Sequence, residues 1–149
     1  MSFVFTGDGF TLREATPADN GDLCEIFESV HVRGTLDLNQ ERSPDFFALL
    51  RAHHGETMTF IGHDDDGRSV GCSTAIVQDG WDGGRRIRTG YFGDLRVRPK
   101  FRGGLRLARA YGAAMAYITE RTGAELFNTV IFDSNKRAVA ALAGDGSEK

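Results

Sequence analysis

The chain has 149 residues, of which 40% are hydrophobic and 26% charged, so we expect one domain, residues 1–149, with its own core. No apolar run approaches the length of a membrane span, and the N-terminus MSFVFTGDGF lacks the basic-then-apolar order of a signal peptide. The two cysteines, Cys24 and Cys72, have no Cys-X-X-Cys spacing. They are typical of reduced core thiols, and we expect a cytoplasmic protein that binds no membrane.

The charge is unevenly distributed along the chain. The net charge is −3, yet residues 85–109 contain nine of the 18 basic residues and one acid, Asp94. That window therefore carries +8 and the remainder −11. Such a patch favours an anionic partner, either nucleic acid or a phosphorylated cofactor. We do not expect nucleic acid, because no aromatic-rich platform or reading helix accompanies the patch.

The first third of the chain predicts a strand and two helices. Residues 9–15 form the strand, and Thr16-Pro17 is a helix-start signal that Asp19 strengthens at the positive end of the helix. Apolar residues then recur at helical spacing through Val30. Ser43-Pro44 repeats the start signal and predicts a second helix that ends near His53.

The remainder predicts strands alternating with helices. The elements, in order, are strands at 57–63, 70–77 and 85–97, a helix from about Gly104 to Thr122, a strand at 125–132, and a helix capped by 133–135 that runs to Gly144. Between the second and third of these strands, DGWDGG at 79–84 predicts a loop. The polar run at 63–66 is typical of a hairpin turn, and we expect no metal site there.

The order β α α β β β α β α predicts an α/β domain with a mixed sheet and helices on both faces. The crossover helix requires the 85–97 and 125–132 strands to be parallel neighbours. Phosphate sites in such units lie at the strand-to-helix turn, where free amides and the helix dipole favour an anion. In this chain that turn is PKFRGGLR, which contains glycines for close approach and Arg102 for phosphate oxygens.

The same turn carries a family resemblance. VRPKFRGG, which ends a strand and opens a helix, resembles motif A of the GNAT superfamily of acyl-CoA-dependent N-acyltransferases, roughly Val-X-Pro-X-X-Arg-Gly-X-Gly-X-Gly/Ala. Downstream, DSNKRA at 133–138 resembles the family's Asn-X-X-Ala element. With the element order, the similarity spans about 9–143 and implies a mostly antiparallel sheet. It is strongest to the first domain of tandem GNAT proteins.

The resemblance implies acetyl-CoA or another acyl-CoA as co-substrate, and no metal. Backbone groups of two strand residues would pair with the pantetheine, the helix-start amides would hold the pyrophosphate, and an asparagine would lie beside the pantetheine. The implied cofactor-binding residues are Leu95, Val97, Arg102, Gly103, Gly104, Leu105, Arg106, Leu107 and Asn135. The chain departs from the family pattern with Leu at 105 and 107, and with Leu142 in place of a general-acid tyrosine.

The implied reaction is direct attack of a primary amine on the thioester in a ternary complex. Asp94 and Glu41 are the candidate bases, Tyr91 and Tyr111 are candidate acids, and an amide near Val97 would meet the oxyanion. The acceptor is a small-molecule or peptidyl amine whose identity the sequence does not reveal. A non-catalytic acyl-CoA-binding or structural module is the alternative function.

The C-terminus predicts an exposed sheet edge. GNAT domains continue with two more strands, whereas only the seven residues AGDGSEK follow Leu142. Those residues have no apolar alternation for a hairpin, so the 125–132 strand would present an apolar edge. We therefore expect a domain without the usual last two strands that is a homo-oligomer or lacks a C-terminal portion.

Overall fold

The structure, a computed structural model, describes residues 2–31, 40–102, 105–132 and 134–143. The strands found there are β1 (Val4–Gly7), β2 (Phe10–Glu14), β3 (Glu56–Asp64), β4 (Ser69–Asp82), β5 (Arg85–Val97) and β6 (Ala124–Thr129). The α-helices are α1 (Asn20–Ser29), α2 (Arg106–Thr122) and α3 (Lys136–Ala143). Short 3-10 helices cover Pro17–Asp19, Leu50–Ala52 and Pro99–Phe101.

The strands form one sheet in the order of the chain, from β1 to β6. Every neighbouring pair is antiparallel except β5 and β6, which are parallel because α2 connects them as a crossover. The fold class predicted from the sequence, a mostly antiparallel mixed sheet with helices on both faces, is confirmed. At the far edge of the sheet, β6 has no second neighbour among the described strands.

Each face of the sheet has its own core, because successive residues of a strand point to opposite faces. On one face, α1 packs Leu23, Ile26 and Phe27 against Ile61 of β3, together with Phe46 from the segment before β3. The other face has Met58 and Phe60 of β3, with Phe92 of β5, packed against Ala114 and Ile118 of α2. The two helices thus cover opposite sides of the central strands.

The start of α1 follows its predicted signal. Asp19 accepts hydrogen bonds from the Thr16 amide at 2.7 Å and from Arg13 Nη2 at 2.6 Å. The side-chain hydrogen bond from Arg13 is the largest cause that lowers the pKa of the Asp19 carboxyl. The Thr16–Asp19 signal therefore joins the helix start to β2, which contains Arg13.

At the N-terminal side, one strand was not predicted and one predicted helix is wrong. The chain begins with an additional strand, β1, which forms a hairpin with β2 through Asp8 and Gly9, both at positive φ. The second predicted helix is a run of turns that ends in the 3-10 helix Leu50–Ala52. In this run of turns, the Phe46 amide donates to the side-chain oxygen of Asn20 at 2.9 Å, and the Phe47 amide donates to the carboxylate of Asp45 at 3.0 Å. Such bonds compete with helical hydrogen bonding.

The predicted loop at 79–84 is also wrong. β4 continues to Asp82, and only Gly83 and Gly84 turn the chain into β5, at φ 53° and 85°. A two-residue hairpin turn with positive φ at both positions favours glycine and matches the twist of the strands. Ion pairs of Asp79 with Arg86 and Arg88 link β4 to β5. A polar composition that is typical of a loop therefore occurs here in two paired strands.

Candidate active site

A bulge in β5 shapes the centre of the sheet. Cys72 of β4 is opposite Arg96, whereas Thr74, two residues later, is opposite Gly93, so β5 contains one extra residue. Asp94, within this stretch, has φ 54°, a left-handed conformation that is uncommon outside glycine. The bulge changes the direction of the Asp94 side chain relative to regular strand alternation.

Beyond the bulge, β5 and β6 separate. Their pairing ends at Phe92 and Thr129, whereas β5 continues to Val97 with only β4 beside it among the described strands. Arg98 N–H donates to Val70 O of β4 at 2.8 Å. Strand alternation therefore turns the backbone groups of Val97 toward the open side. Its carbonyl accepts a 2.7 Å hydrogen bond from Nε of Arg102, which folds back over the strand end.

An apolar cavity of about 60 Å³ lies between α2 and this part of the sheet. Leu95 and Val97 line it from β5, and Leu107, Ala110 and Tyr111 from α2. Tyr111 packs on Phe92 with ring centroids 4.8 Å apart, and burial raises the pKa of its phenol. A phenol with a raised pKa holds its proton more firmly. The environment of Tyr111 therefore suits a packing role better than the role of a general acid.

Cys72 borders this apolar cavity from β4 and belongs to the core that packs under α1. Burial raises the pKa of its thiol to about 12, with the charge of Asp94 as the second cause. The thiolate is the nucleophilic form of cysteine, and at neutral pH it is a minute fraction of such a thiol. The predicted role of Cys72 as a core thiol agrees with this environment.

The predicted pyrophosphate residues lie at the start of α2. Leu105 precedes the helix and is 66% exposed, and Arg106 and Leu107 belong to its first turn. Arg109 N–H binds Leu105 O at 2.9 Å, so the amides before Arg109 have no intrahelical partner. Gly103 and Gly104, predicted at the centre of the loop, lie outside the described residues.

Asn135 begins α3 as its cap. Its side-chain oxygen accepts from the Ala138 amide at 3.3 Å, and its carbonyl accepts from the Val139 amide at 3.1 Å. The capping role predicted for this segment is confirmed for Asn135, whereas Asp133 lies outside the described residues. A contact between Asn135 and the pantetheine stays a prediction.

A second cavity, of about 210 Å³, lies on the opposite, α1 side of the sheet, and we call it the polar cavity because more polar side chains line it than line the first. The polar side chains that line it are Arg42, His53, Thr74, Gln78, Tyr91 and Asp94. Asp94 is held there through both carboxylate oxygens, by Nη2 of Arg42 at 2.9 Å and by Oγ1 of Thr74 at 3.0 Å. This pair is well shielded, since the Arg42 and Asp94 side chains are 9% and 16% exposed.

The structure separates the two candidate bases. Asp94 lines the polar cavity, whereas Glu41 is exposed and does not line it, although its neighbour Arg42 does. Tyr91 also faces this cavity. Arg42 was missed by sequence reasoning because it lies 52 residues before its partner, in a stretch without a readable pattern.

The remaining sequence candidates have structural roles. Asp64 accepts from the amides of Asp66 and Arg68, which forms the predicted hairpin turn. Over the described ranges, no group of three or more His, Cys, Asp or Glu is arranged to hold a metal ion. None of the described helices is long and apolar enough to cross a membrane.

No family model matches the sequence, and a comparison with curated proteins finds no match. Solved structures do match. A mutant protein from Bacillus halodurans is 22% identical, with 93% of this chain and 92% of that chain covered and a TM-score of 0.68. Glucosamine-6-phosphate N-acetyltransferase from Arabidopsis thaliana is 16% identical, with 87% and 86% covered and a TM-score of 0.60. A predicted acetyltransferase from Clostridium acetobutylicum, solved with acetyl-CoA, is 14% identical, with 94% and 93% covered and a TM-score of 0.59.

The chain has the GNAT fold. This agrees with the resemblance inferred from VRPKFRGG and from the order of the elements. In this GNAT fold the two cavities lie on opposite faces of the sheet, and β5 forms part of the wall of both. Residues that are adjacent in sequence, Asp94 and Leu95, line different cavities.

Proposed function

We propose that this domain is an N-acyltransferase that moves an acyl group, acetyl foremost, from acyl-CoA to a primary amine in a ternary complex. The observation that carries the proposal is the β5 bulge. It places Leu95 in the apolar cavity and Asp94 in the polar cavity, beside the edge where β5 has no described neighbour other than β4. Two substrates that approach from the two faces would meet at this point.

The donor side fits a pantetheine and a diphosphate. The backbone of Val97 faces the open edge, where an extended amide-bearing chain can pair as a further strand would. The first turn of α2, which no described side chain caps, offers free amides to phosphate oxygens, and Arg102 and Arg106 add positive charge nearby. The side chain of Arg102 must leave the Val97 carbonyl if both groups are to bind the donor.

The reaction follows from these positions. The amine nitrogen bonds to the thioester carbonyl carbon, the carbon–sulfur bond breaks, and the thiolate takes a proton to leave as CoA thiol. We propose that Asp94 accepts the amine proton, with Glu41 as the alternative base, and that the Val97 amide meets the oxyanion. An acyl-enzyme is not part of the proposal, because the Cys72 thiol, with a pKa of about 12, is a poor nucleophile.

A non-catalytic acyl-CoA-binding module is the second candidate. One observation favours it: both carboxylate oxygens of Asp94, the proposed base, already accept hydrogen bonds, from Arg42 and from Thr74. Amine-dependent release of CoA thiol from acetyl-CoA separates the two, since a binding module would release none.

The acceptor, the cellular location and the oligomeric state are also proposals. The acceptor is a small-molecule amine, as the name of the Arabidopsis thaliana enzyme suggests, and the buried, unpaired cysteines fit a cytoplasmic protein. We propose that a second copy pairs along the outer edge of β6. Val130, just beyond that strand, is 77% exposed, and Phe132 is 49% exposed.

Donor binding is tested by a thermal-shift panel of CoA, acetyl-CoA and longer acyl-CoAs. At one hundred times Kd, a ligand stabilises the native state by about 2.7 kcal/mol, which raises Tm by several degrees. We expect the double variant Arg102→Ala, Gly104→Val to lose this rise, because it removes a cation and obstructs the loop. Arg86→Ala, which removes a charge from the distant hairpin, is the matched control. An unchanged Tm rise in the double variant would remove the proposed donor site.

A further inference from the structure

The polar cavity contains a cation whose hydrogen-bonding capacity is only partly used. The Arg42 side chain is 9% exposed, and Nη2 donates to Asp94, while Nη1 is buried and has no hydrogen-bond partner among the described residues. A buried guanidinium donor without an acceptor is costly, and its cost disappears when an acceptor arrives. Because Arg42 lines the cavity, an acceptor for it can come from a bound molecule.

A second arginine increases the positive charge beside this wall. Arg96 stacks on the ring of Phe27 at 4.2 Å, and Arg42 stacks on the same ring at 4.9 Å. Nε of Arg96 is likewise buried with no partner in the described part of the chain, and burial lowers the pKa of its guanidinium. Asp94 is the one carboxylate that the described residues place in an ion pair with either arginine. The local charge favours one further anion.

We propose that the amine acceptor also carries an anionic oxygen group, a carboxylate or a phosphate, that binds Arg42. This inference rests on the proposed function. A guanidinium offers paired N–H groups to such oxygens. Asp94, beside Arg42 on the same wall, receives the amine end. Thr74, Gln78 and Tyr91 supply hydroxyl and amide groups for the remainder of the molecule. The acceptor class is therefore a small amino acid or an aminoalkyl phosphate.

The test compares matched amines in the presence of saturating CoA. β-Alanine is compared with propylamine, and phosphoethanolamine with ethanolamine, by calorimetric Kd on the wild-type chain. We expect at least one anionic member to bind tenfold or more tightly than its neutral partner, and the two pairs distinguish carboxylate from phosphate. Neutral partners that bind as tightly as both anionic members would overturn the proposal.

Variants assign the effect to Arg42. Arg42→Gln removes the charge, and we expect it to abolish the preference for the anionic member. Arg51→Gln removes a cation from the adjacent exposed 3-10 helix and should keep that preference. If Arg42→Gln does not fold, Arg42→Lys keeps the charge without the paired N–H groups and should reduce the preference several-fold. A full preference in either folded Arg42 variant contradicts the assignment.

The acetyl-CoA thermal shift separates this inference from the proposed function. If the protein binds acetyl-CoA but shows no preference for anionic amines, only the acceptor assignment is overturned. If the protein prefers anionic amines but acetyl-CoA does not raise its Tm, the acyltransferase proposal is overturned and the anion site stands.

Discussion

The two halves of β5 show how one strand can serve both the sheet and a site. From Arg88 to Phe92 it lies between two neighbours, antiparallel to β4 and parallel to β6. From Gly93 to Val97 it keeps only β4 among the described strands and contains the bulge. In the first half, backbone groups on both sides bind neighbouring strands. Of these two halves, only the second has backbone groups that face no second strand among the described residues, and this is where we propose that the donor binds.

Close packing holds the first half in place. The Phe127 ring of β6 lies over Gly90, where an added Cβ would be 2.5 Å from a ring carbon, and it stacks on Phe92 with centroids 5.7 Å apart. A Cβ at position 90 would require the Phe127 ring to shift from its place on β5. The packing of Phe127 against β5 therefore depends on a glycine.

The largest effect is expected from breaking this paired half. Gly90→Ala forces the Phe127 ring to move and should lower the free energy of unfolding by about 1–3 kcal/mol, as overpacking does. The measurement is chemical denaturation of the purified variant.

Gly112→Ala is the matched control. Nothing lies within 4 Å of a Cβ at that exposed position in α2, so alanine should stabilise the helix by about 0.5–1 kcal/mol. Equal unfolding free energies for the two variants would show that Gly90 does not fix the pairing of β5 and β6.

A smaller effect is expected at the outer edge of the sheet. If a second copy covers β6, Val130→Lys with Phe132→Lys should halve the molar mass measured by light scattering, because charges on an edge oppose strand pairing. Val4→Lys, at the opposite edge strand β1, is the control and should leave the mass unchanged. A wild-type chain that is monomeric at high concentration contradicts edge pairing.

Local signals predicted much of the fold. The bounds of β5 follow from its apolar pattern and from Pro99, and α2 ends where predicted because Gly123 takes the left-handed φ of 72°. The second predicted helix failed because Asn20, which is distant in sequence, binds Phe46 N–H and Pro44 O. A start signal describes local preferences and does not reveal such a competing partner.

The site was predicted less completely than the fold. Leu95 and Val97 were inferred from the resemblance, and the structure places both beside the open edge. The contact of Arg102 with Val97, and the ion pair of Arg42 with Asp94, depend on side-chain positions that no spacing encodes. The bulge that brings Asp94 into the polar cavity was not predicted, since a residue other than glycine takes the left-handed conformation there.

Hydrogen exchange of the β5 amides with and without acetyl-CoA tests the central claim most directly. Saturating acetyl-CoA should slow exchange in peptides that cover 93–98 and the first turn of α2, because the ligand pairs with the open edge and caps the helix. The hairpin at 79–88 lies away from the site and should exchange at the same rate in both samples. Unchanged exchange at 93–98 in a sample saturated with acetyl-CoA would contradict the account.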